Sequence, residues 1–225
     1  MRALVIDVGG SHVKLLATGA QEPRKFASGP SLTARELVDE TKAATADWTY
    51  EAVSIGYPGP VLHGKIVAEP HNLGDGWVGF DFESAFERPV RIVNDAAMQA
   101  LGGYRGGRML FLGFGTGLGT ALIVDGVVEP MELGHLPYKK GTYEDYVGNR
   151  ARKRLGNKKW AKHVLDVIER LRAALEPDEV LVGGGNVKHL DALPDGCRRG
   201  SNADALDGGM KLWGEPSSLG GMNNK

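Results

Sequence analysis

The sequence predicts an α/β protein of two lobes that close on a cleft, and two observations carry that expectation. One is the stretch Gly113-Phe114-Gly115-Thr116-Gly117-Leu118-Gly119-Thr120, set between apolar runs at 109–112 and 121–124. Glycine at every second position leaves backbone N–H groups uncovered by side chains, so the pattern reads as strand, open turn, strand. The other is that the same unit opens the chain. Ala3-Leu4-Val5-Ile6-Asp7-Val8 reads as a strand, Gly9-Gly10-Ser11 as a turn, and 12–18 as a return strand. Such units about half a chain apart point to two related subdomains. Turned toward each other, the two bends form a pair of phosphate cradles. Each alone is equally a hairpin that needs positive φ.

Bulk properties narrow the function. The chain has 225 residues, enough to bury a sizeable core as one large domain or two small ones. Its 27 Lys and Arg offset 28 Asp and Glu, so no whole-chain attraction to nucleic acid or a membrane surface is expected. Cys197 is the single cysteine, which excludes an internal disulfide and a multi-cysteine zinc site. The first residues, Met1-Arg2-Ala3-Leu4-Val5-Ile6-Asp7, lack the long apolar region of a signal peptide. No run approaches a membrane span. A cytoplasmic protein is the expectation.

In the first half, Asp7 ends a strand beside a glycine turn, where it can hold a hydrated cation or cap the turn. Lys14 on the return strand reaches a phosphate or solvent. Residues 19–31 read as a loop. Thr33-Ala34-Arg35-Glu36 is a capping-box pattern before an apolar-periodic helix running to about Ala46. A strand is expected at 51–55, a short hairpin at 61–67, and a polar, irregular loop at 70–77. Asn72 in that loop pairs with a polyol or simply makes a turn. Residues 89–93 form a strand that ends at Asn94-Asp95. A helix over 96–101 follows, stopped by Gly102-Gly103. Asp95 thus sits at a strand-to-helix junction, as a helix cap or as a general base in the cleft.

In the second half, the central hairpin leads to Glu132-Leu133-Gly134-His135, where a carboxylate and an imidazole flank a glycine and can turn toward one small ligand. Residues 139–162 carry nine cations against only Glu144 and Asp145. That run is either a solvated face or a track for a polyanion, at Lys153, Arg154, Lys158 and Lys159. It lacks the interleaved aromatics of a nucleic-acid binder. Trp160, Val164, Val167, Ile168, Leu171 and Leu175 keep helical spacing, and Pro177 ends that helix. A strand at 179–182 runs into Gly183, Gly184 and Gly185, which permit close approach of a ligand before a further helix. Apolar residues at 203–213 complete the pattern, and 216–225 reads as a mobile tail.

These motifs together resemble the superfamily of sugar kinases, hsp70 and actin, and in finer detail the ROK family. The first phosphate loop of that family is similar to Asp7-Val8-Gly9-Gly10-Ser11 through Lys14, and the second to 113–119. Its catalytic strand end resembles Val93-Asn94-Asp95, its Glu-x-Gly-His sugar motif Glu132-Leu133-Gly134-His135, and its adenosine loop 182–186. The resemblance spans residues 3 to about 213. It is nearest to the polyphosphate-glucokinase branch, on Lys140-Gly141-Thr142-Tyr143-Glu144-Asp145-Tyr146. The cysteine-rich zinc motif that most ROK kinases carry at this place is absent, and Glu144 stands at its final glutamate. Ala97 stands where the family often has Asn.

The resemblance implies two actin/hexokinase-like (ribonuclease H-like) lobes. One is 1–95 with 203–213 returning to it, and the other 96–202. It implies transfer of a phosphoryl group from polyphosphate, ATP or both to the 6-hydroxyl of glucose. Asp95 acts as general base. Asn72, Asn94, Asp95, Glu132, His135 and Glu144 hold the sugar. Asp7, Gly9, Gly10, Ser11, Lys14, Gly115, Thr116, Gly117, Gly183, Gly184 and Gly185 hold the phosphates or nucleotide. Asp7 binds Mg²⁺ through water, with no structural zinc, and a homodimer is the expected assembly. The alternatives are a kinase for another hexose, such as mannose or an N-acetylhexosamine, and a sugar-sensing protein without catalysis. Because the chain begins at the first phosphate strand, with no DNA-binding segment ahead of it, a repressor is disfavoured.

Overall fold

The protein was analysed as a computed structural model that describes residues 1–201 and 203–214; the tail expected at 216–225 lies outside the described residues. The first lobe opens with β1 (Ala3–Val8), β2 (His12–Ala17) and β3 (Arg24–Ala27), then α1 (Ala34–Ala44) and β4 (Ala52–Tyr57). A small hairpin, β5 (Val61–Leu62) with β6 (Lys65–Ile66), precedes α2 (Phe82–Phe86) and β7 (Val90–Asn94). The sheet order is β3-β2-β1-β4-β7. β1, β2 and β3 form an antiparallel meander, and β4 and β7 extend it in parallel. Helix α1 starts at the expected capping box. Thr33 accepts from the Glu36 amide, and Glu36 accepts from the Thr33 amide.

Helix α3 (Asp95–Gly103) leads to the second lobe, which repeats the plan. Its strands are β8 (Arg108–Phe114), β9 (Leu118–Val124) and β10 (Val127–Met131), with a 3₁₀ turn at Leu133–His135 and a hairpin of β11 (Pro137–Tyr138) and β12 (Gly141–Thr142). There follow α4 (Tyr143–Val147), α5 (Asn149–Leu155), α6 (Asn157–Leu175), β13 (Glu179–Gly183), β14 (Cys197–Arg199) and α7 (Asp204–Lys211). The order β10-β9-β8-β13-β14 reproduces the first sheet strand for strand. The internal repeat read from two glycine hairpins therefore extends to the whole sheet topology. Among the described residues no helix is long and apolar enough to cross a membrane.

Side-chain alternation sorts each sheet into two faces. Leu4, Ile6, Val13 and Leu15 pack toward α1, while Val5 on the opposite face packs with Met98, Leu101 and Leu206. In the second sheet Leu110, Leu112 and Phe114 meet Trp160 and Val164 of α6, while Met109 and Phe111 meet Ala96 and Ala100 of α3. The inner faces of both sheets thus share a layer made of α3 and α7. All faces of the parallel strands are covered, as such strands require.

Several local expectations differ from the structure. The 19–31 loop contains β3, an edge strand whose alternate half-buried Arg24 and Phe26 give no apolar run. Helix α3 ends at Gly103, so the two glycines expected to stop it at Leu101 form its last residues. The reason is α7. A Cβ on Gly102 would lie 1.7 Å from the Asp204 carbonyl oxygen, and one on Gly208 would lie 1.8 Å from that of Met98. The glycines are there for close crossing. The helix expected after Gly185 is only a 3₁₀ turn at Val187–His189. The Arg199 guanidinium takes the carbonyls of Val187 and Leu190 at 2.7 and 2.6 Å, which a continuing helix would need as acceptors.

The crossing makes a direct prediction. Gly102→Ala or Gly208→Ala overpacks the α3–α7 contact and costs about 1–3 kcal/mol. Thermal unfolding reads this as a loss of about 2–4 °C per kcal/mol for a chain of this size. Gly29→Ala, with nothing within 4 Å of the added carbon, leaves the midpoint unchanged. A wild-type midpoint for Gly102→Ala would show that the two helices are not held at glycine distance.

Candidate active site

β7 delivers Asn94 and Asp95 to the start of α3, and the two side chains divide the work. Asn94 is buried and caps the helix: Oδ1 accepts from the amides of Ala96 and Ala97 at 2.9 and 3.2 Å, and Nδ2 donates to the Gly59 carbonyl at 3.1 Å. The cap expected of Asp95 therefore falls to Asn94, which leaves it only one free N–H for a sugar. Asp95 makes a single backbone contact, Oδ1 accepting from the Ala96 amide at 2.7 Å. It keeps part of its surface open, yet enough protein surrounds it to push its carboxyl up to about 7. Burial is the main cause, the Asp7 charge the next, and Glu132 adds to it against the lowering Ala96 hydrogen bond.

The sheet register explains why Asp7 acts on Asp95. Asp7 pairs with Gly56, and Gly56 with Val93, so one row crosses β1, β4 and β7. Asp7 shares the face of Val5, which is the α3–α7 side. Gly56 leaves that row open: a Cβ there would lie 2.3 Å from Met98 Cε and 3.6 Å from Asp95 Cα. Lys14, directly opposite Asp7 on β2, donates to its carboxylate at 3.2 Å. The first glycine turn is exposed at Gly10 and Ser11 and closed by Gly9 N–H to the His12 carbonyl. Ser28 braces it through its hydroxyl on the Gly9 carbonyl at 2.5 Å. Asn72 packs beside this turn, 4.0 Å from where a Gly10 Cβ would be.

The second lobe brings the remaining polar groups to the same place. Gly119 of β9 abuts α3, since a Cβ on it would lie 2.9 Å from Ala96 Cβ. The Glu144 carboxylate folds over the second glycine turn: it accepts from the Leu118 amide at 3.4 Å and occupies the space a Gly117 side chain would need. Gly134, between Glu132 and His135, packs against the Leu118 carbonyl and toward Glu144 Cβ. Glu132, His135 and Glu144 are all exposed there. Among the described residues no three His, Cys, Asp or Glu side chains stand close enough to ligate a metal together. A cation at Asp7 would therefore keep most of its water.

A cavity of about 340 Å³ lies behind the second turn, lined by Gly115, Thr116, Asn149, Arg152, Asn186 and Lys188, with Gly185 at its edge. Asn149 at the start of α5 donates its amide to the carbonyls of Gly115 and Thr116, and Asn186 Nδ2 donates to Gly115. Of the third glycine cluster only Gly185 reaches this cavity. Gly183 is the buried end of β13, paired with Gly113. Gly184, at φ 87°, underlies Phe114, with 2.5 Å from a would-be Cβ to its carbonyl. Lys153, Arg154, Lys158 and Lys159 do not line it. Arg152, Asn149 and Lys188 line this cavity without having been singled out from the sequence, whereas Asn186 ends the stretch that resembles the adenosine loop. Arg152 was visible only as one charge in a run.

No family model matches the chain. It is 27% identical to the polyphosphate glucokinase of Mycobacterium leprae over 215 residues, covering 84% of this chain and 65% of that protein. It is 25% identical to the kanosamine kinase of Amycolatopsis mediterranei, covering 98% of this chain and 92% of that one. Its fold matches an inorganic polyphosphate/ATP-glucomannokinase from Arthrobacter at TM-score 0.79 and 22% identity, over 92% and 96% of the two chains. It also matches a ROK-family glucokinase from Streptomyces griseus at TM-score 0.76 and 20% identity, over 94% and 99%. The chain thus spans just under two thirds of the mycobacterial relative.

The raised Asp95 pKa has a sign in stability. An unfolded aspartate titrates near 3.9, so the folded carboxyl, at about 7, binds its proton more tightly. Its contribution is complete below about pH 4 and is lost as pH rises through 7. Asp95→Asn removes that loss. Its melting midpoint should exceed that of the wild type at pH 8 and approach it near pH 4. A constant difference across that range would show that Asp95 is not the titrating group.

Proposed function

We propose that this chain is a hexose kinase of the ROK family with Asp95 as general base, a reading that its relatives and its fold support. The preferred acceptor is the 6-hydroxyl of glucose, and the donor is polyphosphate, ATP or both. The observation that carries the reading is the raised Asp95 carboxyl, held at a helix start between two glycine turns from two lobes. A base that titrates near the working pH removes a hydroxyl proton most effectively. Phosphoryl transfer asks for little else beyond alignment and charge neutralisation.

Each lobe supplies part of that alignment. Asn72, Asn94, Glu132, His135 and Glu144 offer the hydrogen bonds that a buried polyol needs, since an unpaired hydroxyl is costly. The N–H groups of Gly9 and Gly115 close their own turns, and those of Gly10, Ser11, Thr116 and Gly117 would meet the donor phosphates. Arg152 and Lys188 add positive charge beside the second turn. Mg²⁺, when bound with the donor, would be held by Asp7 through water and would neutralise phosphate charge. Lys14, which pairs with Asp7 here, is placed to turn to the phosphates. The amino-sugar kinase among the relatives supports a second reading, in which the acceptor is an amino hexose.

The test is hexose-dependent sugar-phosphate formation with Mg²⁺, with ATP and polyphosphate in separate reactions, across glucose, mannose and amino hexoses. Glucose turnover is the expected result, and Asp95→Asn should lower kcat about 10²–10⁴-fold. Full turnover by that variant overturns the mechanism, and no turnover with any hexose favours a sugar-binding protein. Joint neutralisation of Lys153, Arg154, Lys158 and Lys159 should raise KM for polyphosphate several-fold more than for ATP. Equal effects would return those side chains to plain surface.

A further inference from the structure

The second glycine turn has its carbonyls tied and its amides free. The Gly115 and Thr116 carbonyls accept from the Asn149 amide at 3.0 and 3.1 Å, and the Gly117 carbonyl accepts from the Gly115 amide at 3.1 Å. Among the described residues the Thr116 and Gly117 amides have no partner. The Gly115–Gly117 bond makes Phe114 and Leu118 the next, non-hydrogen-bonded pair, so the Leu118 N–H points away from β8. Strand β10 does not cover it, since that strand ends with Met131 opposite Thr120. Three successive N–H groups, at 116, 117 and 118, are left without a main-chain acceptor. Such a run of amides in a turn binds anions.

The anion on this turn is the protein's own. A Cβ on Gly117 would lie 1.9 Å from Glu144 Oε2 and 2.6 Å from its carboxyl carbon, so the carboxylate rests on the glycine itself. Its one hydrogen bond is from the Leu118 amide, at 3.4 Å. The neighbouring backbone holds it there. Asp145, not Glu144, makes the capping box of α4 with Thr142. After α4, Gly148 packs on the turn, where a Cβ would lie 2.7 Å from the Thr116 carbonyl oxygen. Among the described residues no cation pairs with Glu144. Its side chain is exposed, so it can swing away at little cost in packing.

We propose that the Glu144 carboxylate is an internal stand-in for a donor phosphate on the second turn, and that a bound sugar draws it off, so that the donor place opens only after the acceptor has arrived. The inference rests on the hexose-kinase reading and assigns Glu144 a role beyond holding sugar. A phosphate and a carboxylate cannot share one run of amides, because like charges at contact repel. A bond of 3.4 Å is at the long end for N–H to oxygen. A sugar hydroxyl on the same carboxylate makes a shorter, stronger charge-assisted bond, so the exchange favours release. The gain is that water meets no aligned donor while the sugar site is empty, which limits wasteful hydrolysis.

Calorimetric titration of the full chain tests this without turnover. 6-Deoxyglucose, which lacks the accepting hydroxyl, fills the sugar site, and ATP or tripolyphosphate, each with Mg²⁺, is the donor probe. In the wild type the sugar should tighten donor binding about fivefold or more, and the donor should tighten sugar binding by the same factor. Glu144→Gln should bind the donor without sugar as tightly as the wild type does with it, and saturating sugar should add nothing. Loss of a sugar contact alone cannot tighten sugar-free donor binding. Glu132→Gln, which removes a carboxylate from the same cleft but not from the turn, should leave that binding unchanged. Both positions are exposed, so the melting midpoints should match the wild type. Equal donor affinity of the wild type with and without sugar, or equal tightening by the two variants, overturns the gate and leaves the kinase reading standing. Donor binding in neither state overturns both.

Discussion

The arrangement depends on how closely α3 can approach α7. Two sheets of the same topology have inner faces to cover, and a single helix pair covers both. That is possible only if the pair is thin, and glycine at 102, 208 and 209 makes it so. A Cβ at Gly209 would lie 2.2 Å from Val5 Cγ1, so α7 rests on β1 as tightly as on α3. Polar ties then fix the layer to the first sheet. The Ser54 hydroxyl donates to the Gly209 carbonyl at 2.6 Å and accepts from the Trp213 indole at 2.8 Å. Arg91 stacks on Trp213 and donates to the Leu212 carbonyl. Since α3 starts at Asp95, the same packing that joins the lobes sets where that carboxylate lies between their glycine turns.

The electrostatics of Asp95 run against its address. A helix start favours a carboxylate by about 0.3–1 kcal/mol. A shift from 3.8 to about 7 is worth on the order of 4 kcal/mol the other way, at 1.36 kcal/mol per unit. Burial and two neighbouring carboxylates outweigh the helix terminus. Asn94 contributes by taking the cap hydrogen bonds at Ala96 and Ala97 itself. The Ala96 amide is shared with Asp95, but that of Ala97 is not; turned to Asp95 as well, it would further stabilise the charge and hold the pKa down. A neutral cap beside an ionisable carboxyl thus helps keep that carboxyl's pKa high.

What the sequence revealed was what repeats or has a period. The twin glycine hairpins predicted the lobes because each is a local pattern of apolar run, bend and apolar run. The capping box at Thr33 and the apolar spacing of α6 are equally local, and both stand in the structure. The edge strands β3, β10 and β14 were not legible, since their mixed burial gives no run to see. Gly102 and Gly103 do end α3, but their packing reason, a helix about a hundred residues away, was not legible. The cavity behind the second turn shares that property. The glycines before Asn186 announced a loop open to a ligand, but not that Asn186 meets Gly115 across 71 residues.

The basic stretch shows how geometry divides what composition lumps together. Nine cations lie within 24 consecutive residues, 139–162, but no single surface receives them. α5 ends at Gly156, whose φ of 75° turns the chain before α6 begins. Arg152, on one side of that corner, faces the cavity behind the second turn and is held by Asn149 and Asn157. Arg154 turns back to the Asp145 carbonyl at 3.1 Å. Beyond the corner, Lys159 and Lys162 line a separate cavity with Lys139 from the preceding hairpin. A net charge therefore says that the region attracts anions but not where its charges point. The corner at Gly156 divides them between two faces.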